Sequence, residues 1–270
     1  SIELGKLNWL QANGISVLPL YINIGPRSYL DGVEMSREQF YDGLPTFDHH
    51  PTTAAPGAET FIALYERLAA QGVTEIVSIH IGQALSAVVN VARLAAARVR
   101  GARVEVVDSG NLSLGVGLTA LAAARAAQAG KSLADVLTIV RDRIPRTYCF
   151  AALDTVDYLR RSGRMNHVMW SLATILRIKP LLKMNDGVTA TEKIRTLRAA
   201  YARLIELVCE LGPLEELTLV HTHALDKARA LYNQARALFP SAAEPLYATV
   251  TPVIGAHIGP GAVGLVAVRK

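Results

Sequence analysis

TEIVSIHIGQALSAVVNVARLAAARVRGARVEVVDS, residues 74–109, reads as strand, helix, strand, and that reading decides the fold class. The first piece, Thr74–Ile81, is a short apolar, β-branched run after Gly72, the composition of a strand covered on both faces. A helix is expected over about Leu85–Val99, and RVEVVDS at 103–109 is a second strand of the same kind. A connection of helical length joins parallel strands, because a hairpin needs only a few residues.

The same alternation extends outward. Phe61, Leu64, Tyr65 and Leu68 recur at helical spacing before the unit; LSLGVGLTALAAARAAQAG (112–130) reads as a helix after it, and Ser132 as the N-cap of another with Leu133, Val136, Leu137 and Val140 on one face. Towards the start, LGKLNWLQANG (4–14) reads as a helix and ISVLPLYINI (15–24) as a strand. A turn is expected at Tyr29–Gly32, a helix capped by Ser36 at 36–44, and a linker at 44–57, LPTFDHHPTTAAPG. After Pro145 the order is less regular. Strands are expected in YCFAALDT, LTLVHTH, LYATVTPVI and VGLVAVRK, a short helix in DYLRRSGR, two extended pieces around Asn185-Asp186-Gly187, and helices through Leu197–Val208 and Ala228–Leu238. The expected architecture is α/β in two domains, a parallel-sheet lobe at 1–146 and a mixed α+β lobe at 147–270.

With 51% hydrophobic and 19% charged residues, 20 Gly and 12 Pro, the 270-residue chain has the composition of a globular protein with a sizeable core. Apolar runs break before the roughly 18–20 residues a membrane span needs. The start, SIELGKLNWL, lacks the basic and apolar regions of a signal peptide, so a cytoplasmic location is expected. A net charge of +5 is too small and scattered to imply nucleic-acid binding. Cys149 and Cys209 lie in apolar periodic segments and are expected to be free thiols.

Several residue groups invite chemistry. His49-His50 and the pair His221/His223 suggest metal ligation, but no Cys-x-x-Cys or His-Glu-x-x-His accompanies them, and hydrogen bonding explains them equally well. GPGAVG at 259–264 resembles an anion loop without matching either nucleotide-binding fingerprint; a tight turn into the last strand explains Gly259 and Gly261 equally well. There is no G-x-S-x-G elbow, although Ser78, Ser86 and Ser109 fall near strand ends and Asp108 with a histidine would complete a hydrolase constellation. Arg160, Arg161 and Arg164 cluster where a phosphate, a carboxylate or an acidic surface would dock, or where a positive face is simply solvated.

VLPLYINIGPRSYLDGVEMS, TAAPGAETF, IVSIHIGQALS, VEVVDS, DTVDYLRRSGRMN, IKPLL and VIGAHIGPGAVG, in this order and spacing, resemble the DegV family over nearly the whole chain. The resemblance implies a two-lobed fold with a tunnel that holds a long-chain fatty acid, and a non-catalytic carrier that presents the carboxylate to a separate ATP-using fatty acid kinase. It needs no metal or cofactor in this chain. The positions it marks for the carboxylate are Thr53, Ser86, His257 and the backbone at Gly259 and Gly261, with Arg160, Arg161 and Arg164 facing a partner. The family's usual serine pair is replaced by Gly82 and Gln83, which makes the Gln83 amide a possible replacement donor. The family's opening strand, ending Thr-Asp-Ser, is not found at the start of this sequence, and the N-terminal lobe is expected to lack it. The readings that compete with a carrier are a small-molecule kinase or hydrolase, and a non-catalytic regulatory or structural binding module.

Overall fold

A computed structural model describes residues 10, 12–163, 178–240, 245 and 247–270. Arg164 and most of the helix expected at 4–14 lie outside the described residues. Described strands are β1 Tyr21–Ile24, β2 Arg27–Leu30, β3 Thr52–Ala54, β4 Glu75–His80, β5 Arg103–Asp108, β6 Thr147–Ala152, β7 Lys179–Asn185, β8 Val188–Ile194, β9 Leu214–His221, β10 Tyr247–Thr249 and β11 Val263–Arg269. We number the helices α1 Arg37–Gly43, α2 Ala58–Ala70, α3 Val88–Ala96, α4 Leu114–Gln128, α5 Leu133–Arg146, α6 Asp157–Arg161, α7 Leu197–Cys209, α8 Leu225–Ala235 and α9 Pro252–Ile258.

The 74–109 unit folds as read: β4 and β5 pair in parallel, Glu75 with Arg103 through His80 with Asp108, and α3 makes the crossover. Alternation along β4 splits its side chains. Ile76 joins Phe61, Tyr65, Val88 and Ala92 of α2 and α3, while Val77 and Ile79 join Ala123, Val136, Val140 and Ile144 of α4 and α5. Helices therefore cover both faces of the parallel pair. The second lobe is a six-stranded mixed sheet in the order β10-β9-β11-β6-β7-β8, parallel only between β10 and β9. One face packs Phe150, Leu181, Leu219 and Leu265 against Leu204 and Leu231 of α7 and α8. The chain thus has the expected two-lobed α/β architecture.

The other face of the six-stranded sheet meets the first lobe. Cys149, Met184, Val220, Ala248, Val250 and Val266 form one apolar cluster with Leu114, joined by Leu85, Leu112, Leu118 and Ile254. Polar contacts fasten the seam beside it. Asn111 Nδ2 donates to the Thr147 carbonyl at 2.9 Å, the Gly187 N–H donates to the Gly110 carbonyl at 2.8 Å, and Arg143 on α5 reaches Glu215 and Glu216 at 2.8 and 2.9 Å.

Four local readings need correction. The apolar run at 15–24 forms a strand only from Tyr21, because Pro19 has no N–H to give a ladder. Arg27–Leu30, expected to run into a turn, is β2, which folds back on β1 around Gly25-Pro26 with Gly25 at φ +56°. LYATVTPVI is not one extended piece: β10 ends at Thr249 and Pro252 opens α9. The linker at 44–57 also contains β3, which pairs antiparallel with β1. Ser36 caps α1 as expected, with Gln39 closing a capping box, and both described cysteines are free, Cys149 buried and Cys209 exposed.

Candidate ligand head-group site

The three-stranded β2-β1-β3 sheet exists to carry one face. Its register sets Thr53 directly opposite Ile22, so the two side chains leave the sheet on the same side. Ile22 packs there with Phe40, Tyr41, Leu44 and Ala256, the last from α9. Thr251 and Pro252 begin α9 with the residue types that favour a helix start, and the helix lays His257 beside Thr53: Thr53 Oγ1 and His257 Nε2 stand 2.9 Å apart. Two residues separated by 204 positions thus form one half-buried polar pair.

Gly259 and Gly261 shape this site rather than donate to it. Gly259 ends α9 at φ +74°, ψ 178°, where a Cβ would collide with the Tyr158 ring, and its N–H is spent on the Gly255 carbonyl at 2.8 Å. Gly261, at φ +85°, lies against Asp154 and gives its N–H to the Thr222 carbonyl at 2.8 Å. Asp154 in turn holds Lys179 and Lys227 at 2.5 and 3.1 Å. Burial raises its carboxyl's pKa, the two lysine contacts lower it, and the net shift is downward.

Ser86 and Gln83 occupy the turn between β4 and α3. Ser86 Oγ accepts the Val88 N–H at 3.4 Å, a local contact at the start of α3. Gln83 is exposed; its side-chain oxygen accepts from Arg93 at 3.0 Å and its backbone N–H donates to Asp108. Neither side chain shares a hydrogen bond with Thr53 or His257. Gly82 is buried, and a Cβ there would stand 2.6 Å from the Met184 methyl and 3.2 Å from the Gly110–Asn111 backbone, so a side chain fits only if Met184 moves aside.

α6 forms the rim. Tyr158 touches Gly259 and also lies 5.8 Å from the His50 ring. Burial first, and the charge of Arg161 second, hold the pKa of His50 below its usual value. Arg160 and Arg161 are exposed, and Arg160 pairs with Asp157 at 3.4 Å.

Three further described histidines have partners within the fold. His49 packs on Gly25, His221 Nδ1 accepts the Ala224 N–H at 3.2 Å, and His223 pairs with Asp42 at 3.2 Å while stacking on Tyr41. Among the described residues no group of three or more His, Cys, Asp or Glu could hold a metal ion. Likewise, no described helix is long and apolar enough to cross a membrane.

The hydrolase constellation does not assemble. Ser78 Oγ lies 2.8 Å from His80 Nε2, yet Tyr65 holds the same hydroxyl at 2.6 Å, and the Asp108 carboxylate accepts the N–H groups of Gln83 and Gly110. Burial lowers the pKa of His80 to about 4, against an ordinary 6.5. Between pH 6.5 and 4 the unfolded chain therefore takes up a proton that the folded chain refuses. Stability from this group is complete above pH 6.5 and falls by about 3 kcal/mol as the pH drops through 4. Urea denaturation from pH 7.5 to 4.5 should show a shallower loss for His80→Gln than for the parent; parallel profiles would remove His80 from the acid response.

Comparison with known proteins identifies the family. Residues 4–270 match the family described as "Uncharacterised protein, DegV family". A DegV domain-containing protein of Streptomyces coelicolor is 35% identical over 261 residues, 95% of this chain and 92% of its own length. The crystal structure of DegV, a fatty acid binding protein from Bacillus subtilis, superposes with a TM-score of 0.87 at 26% identity, covering 98% of this chain and 95% of that one. A fatty-acid-binding DegV family protein from Thermus thermophilus does so at 0.85 and 28% identity, over 97% and 95%. A profile match over almost the whole length, and two lobes that superpose on these structures, make the chain a member of the DegV family.

Proposed function

We propose that this protein binds one long-chain fatty acid between two lobes, 1–146 and 147–270, with the carboxylate at Thr53 and His257 and the tail along the apolar inter-lobe cluster. The observation that carries the reading is the 2.9 Å Thr53–His257 pair at one end of α9, one turn from Ile254 in that cluster. Solved relatives with the same fold bind fatty acids, which supports it. The energetics also favour it. Burying a sixteen-carbon tail is worth gross about 12 kcal/mol at roughly 0.8 kcal/mol per CH₂, while the head must find donors where it is desolvated.

In this reading Ser86 is a further carboxylate ligand once the head is present, Gly259 and Gly261 set the shape of the seat, and Gln83 is a reserve donor that must first leave Arg93. The chain performs no chemistry of its own. It presents the carboxylate in the cytoplasm to a separate ATP-using fatty acid kinase, which docks on the face of Arg160, Arg161 and Arg164 and draws no cofactor from this chain. Titration calorimetry on delipidated protein tests the binding step. Palmitic or oleic acid should saturate one site, and the matching methyl ester should bind more weakly because it cannot place a charged head on Thr53 and His257. Absence of uptake for both acids would overturn the proposal.

A further inference from the structure

On the face of the six-stranded sheet turned away from the inter-lobe cluster, a cavity of about 370 Å³ opens between the end of α7 and strands β6, β7 and β11. Alternation along β6 produces its inner wall. Cys149 belongs to the inter-lobe cluster, whereas Tyr148 and Phe150 on either side of it pack with Leu207 and Leu211 at the α7 side. These four residues line the cavity, and the Tyr148 and Phe150 rings, 6.1 Å apart and tilted by 31°, give it an aromatic surface.

Most of the polar groups around this surface are already engaged. Lys183 Nζ donates to Glu192 at 2.7 Å, Asn185 Nδ2 donates to the carbonyls of Pro145 and Thr147 at 3.0 and 2.9 Å, and Glu210 accepts from Arg203 at 2.9 Å. Two lining groups differ. Among the described residues, neither the exposed Arg269 guanidinium nor the Tyr148 hydroxyl has a hydrogen-bond or ion-pair partner. Both are donors, so the group that completes them is an oxygen acceptor. A carboxylate suits them best, since a guanidinium presents paired N–H groups to its two oxygens and a phenol adds one more donor.

The walls restrict the rest of the molecule. A flat ring packs on Tyr148 and Phe150 in the offset or edge-on arrangements that aromatic pairs prefer. Glu210 and the negative C-terminal end of α7 repel a second carboxylate. The volume is near the lower end of the roughly 300–1,000 Å³ of ligand pockets, which favours a compact body over a long chain.

We propose that this cavity is a second ligand site whose occupant is a small aromatic monocarboxylate, with its ring on Tyr148 and Phe150 and its carboxylate on Arg269 and the Tyr148 hydroxyl. The site shares no residue with the Thr53–His257 seat and does not depend on the fatty-acid reading.

The experiment titrates the parent protein with phenylacetic, 3-phenylpropionic and indole-3-acetic acids, each beside its primary amide, and follows binding by calorimetry and ligand-observed NMR. At least one acid should bind with a Kd below about 1 mM, and its amide about tenfold more weakly because the charge-assisted bonds are gone. Arg269→Gln should weaken the acid about 10–100-fold and leave the amide nearly unchanged. Tyr148→Phe keeps the ring and should cost the acid about threefold to tenfold. Neither side chain holds a hydrogen bond within the described fold, so both variants should melt as the parent does. Absence of saturable binding by all three acids overturns the proposal, as does equal affinity for acid and amide. An affinity that holds in Arg269→Gln but falls in Thr53→Ala moves the acid to the Thr53–His257 seat and overturns it as well.

Discussion

Gly259→Ala should destabilise the protein by about 3–5 kcal/mol and remove fatty-acid binding from the fraction that folds. The residue holds φ +74°, ψ 178°, a conformation close to exclusive to glycine, and a Cβ there would meet the Tyr158 ring. Backbone strain accounts for about 1–3 kcal/mol and the steric clash for a similar amount. The structure cannot relax by moving Tyr158 freely, because that ring packs with Ile22, Phe40 and Ala256 under the β1–β3 sheet. Shifting either side displaces the end of α9 and with it His257. Chemical denaturation measures the first effect and fatty-acid titration the second. A variant with parental stability and affinity would show that the turn after α9 is not what holds the site.

His257→Ala should raise the Kd for a long-chain fatty acid about 10–100-fold, because a hydrogen bond to a charged group is worth about 1.5–3 kcal/mol. Thr53→Ala should act in the same direction, and the double variant should lose less than the sum, since each residue orients the other across 2.9 Å. The matching methyl ester should be affected far less, which separates loss of a head-group contact from general damage to the lobes. Equal loss for acid and ester would move the head group elsewhere, and unchanged affinity in both single variants would remove Thr53 and His257 from the site.

The parallel unit was legible because its evidence is local: Ile76, Val77 and Ile79 form a β-branched run, α3 has its own apolar face, and β5 repeats the pattern. The Asn185-Asp186-Gly187 turn was legible for the same reason, and the structure has Asp186 and Gly187 at φ +45° and +77°. α9 was missed although Thr251, Pro252 and Gly259 mark its two ends, because the β-branched run before it reads on as strand. β3 was missed because three residues between prolines carry no period; only pairing with β1 makes them a strand.

The site divides along the same line. Thr53 and His257 came from resemblance to a family, since no spacing rule connects residues 204 positions apart. The same resemblance marked the backbone at Gly259 and Gly261 for the carboxylate, but hydrogen bonds within the fold engage both N–H groups.

Native mass spectrometry of the gently purified protein, followed by denaturing extraction and lipid analysis, tests the central claim most directly. The account predicts a single noncovalent adduct per chain, with a mass equal to that of one long-chain fatty acid recovered in the extract, and loss of that adduct in His257→Ala. A protein that carries no lipid and takes up none from a panel of fatty acids would contradict it.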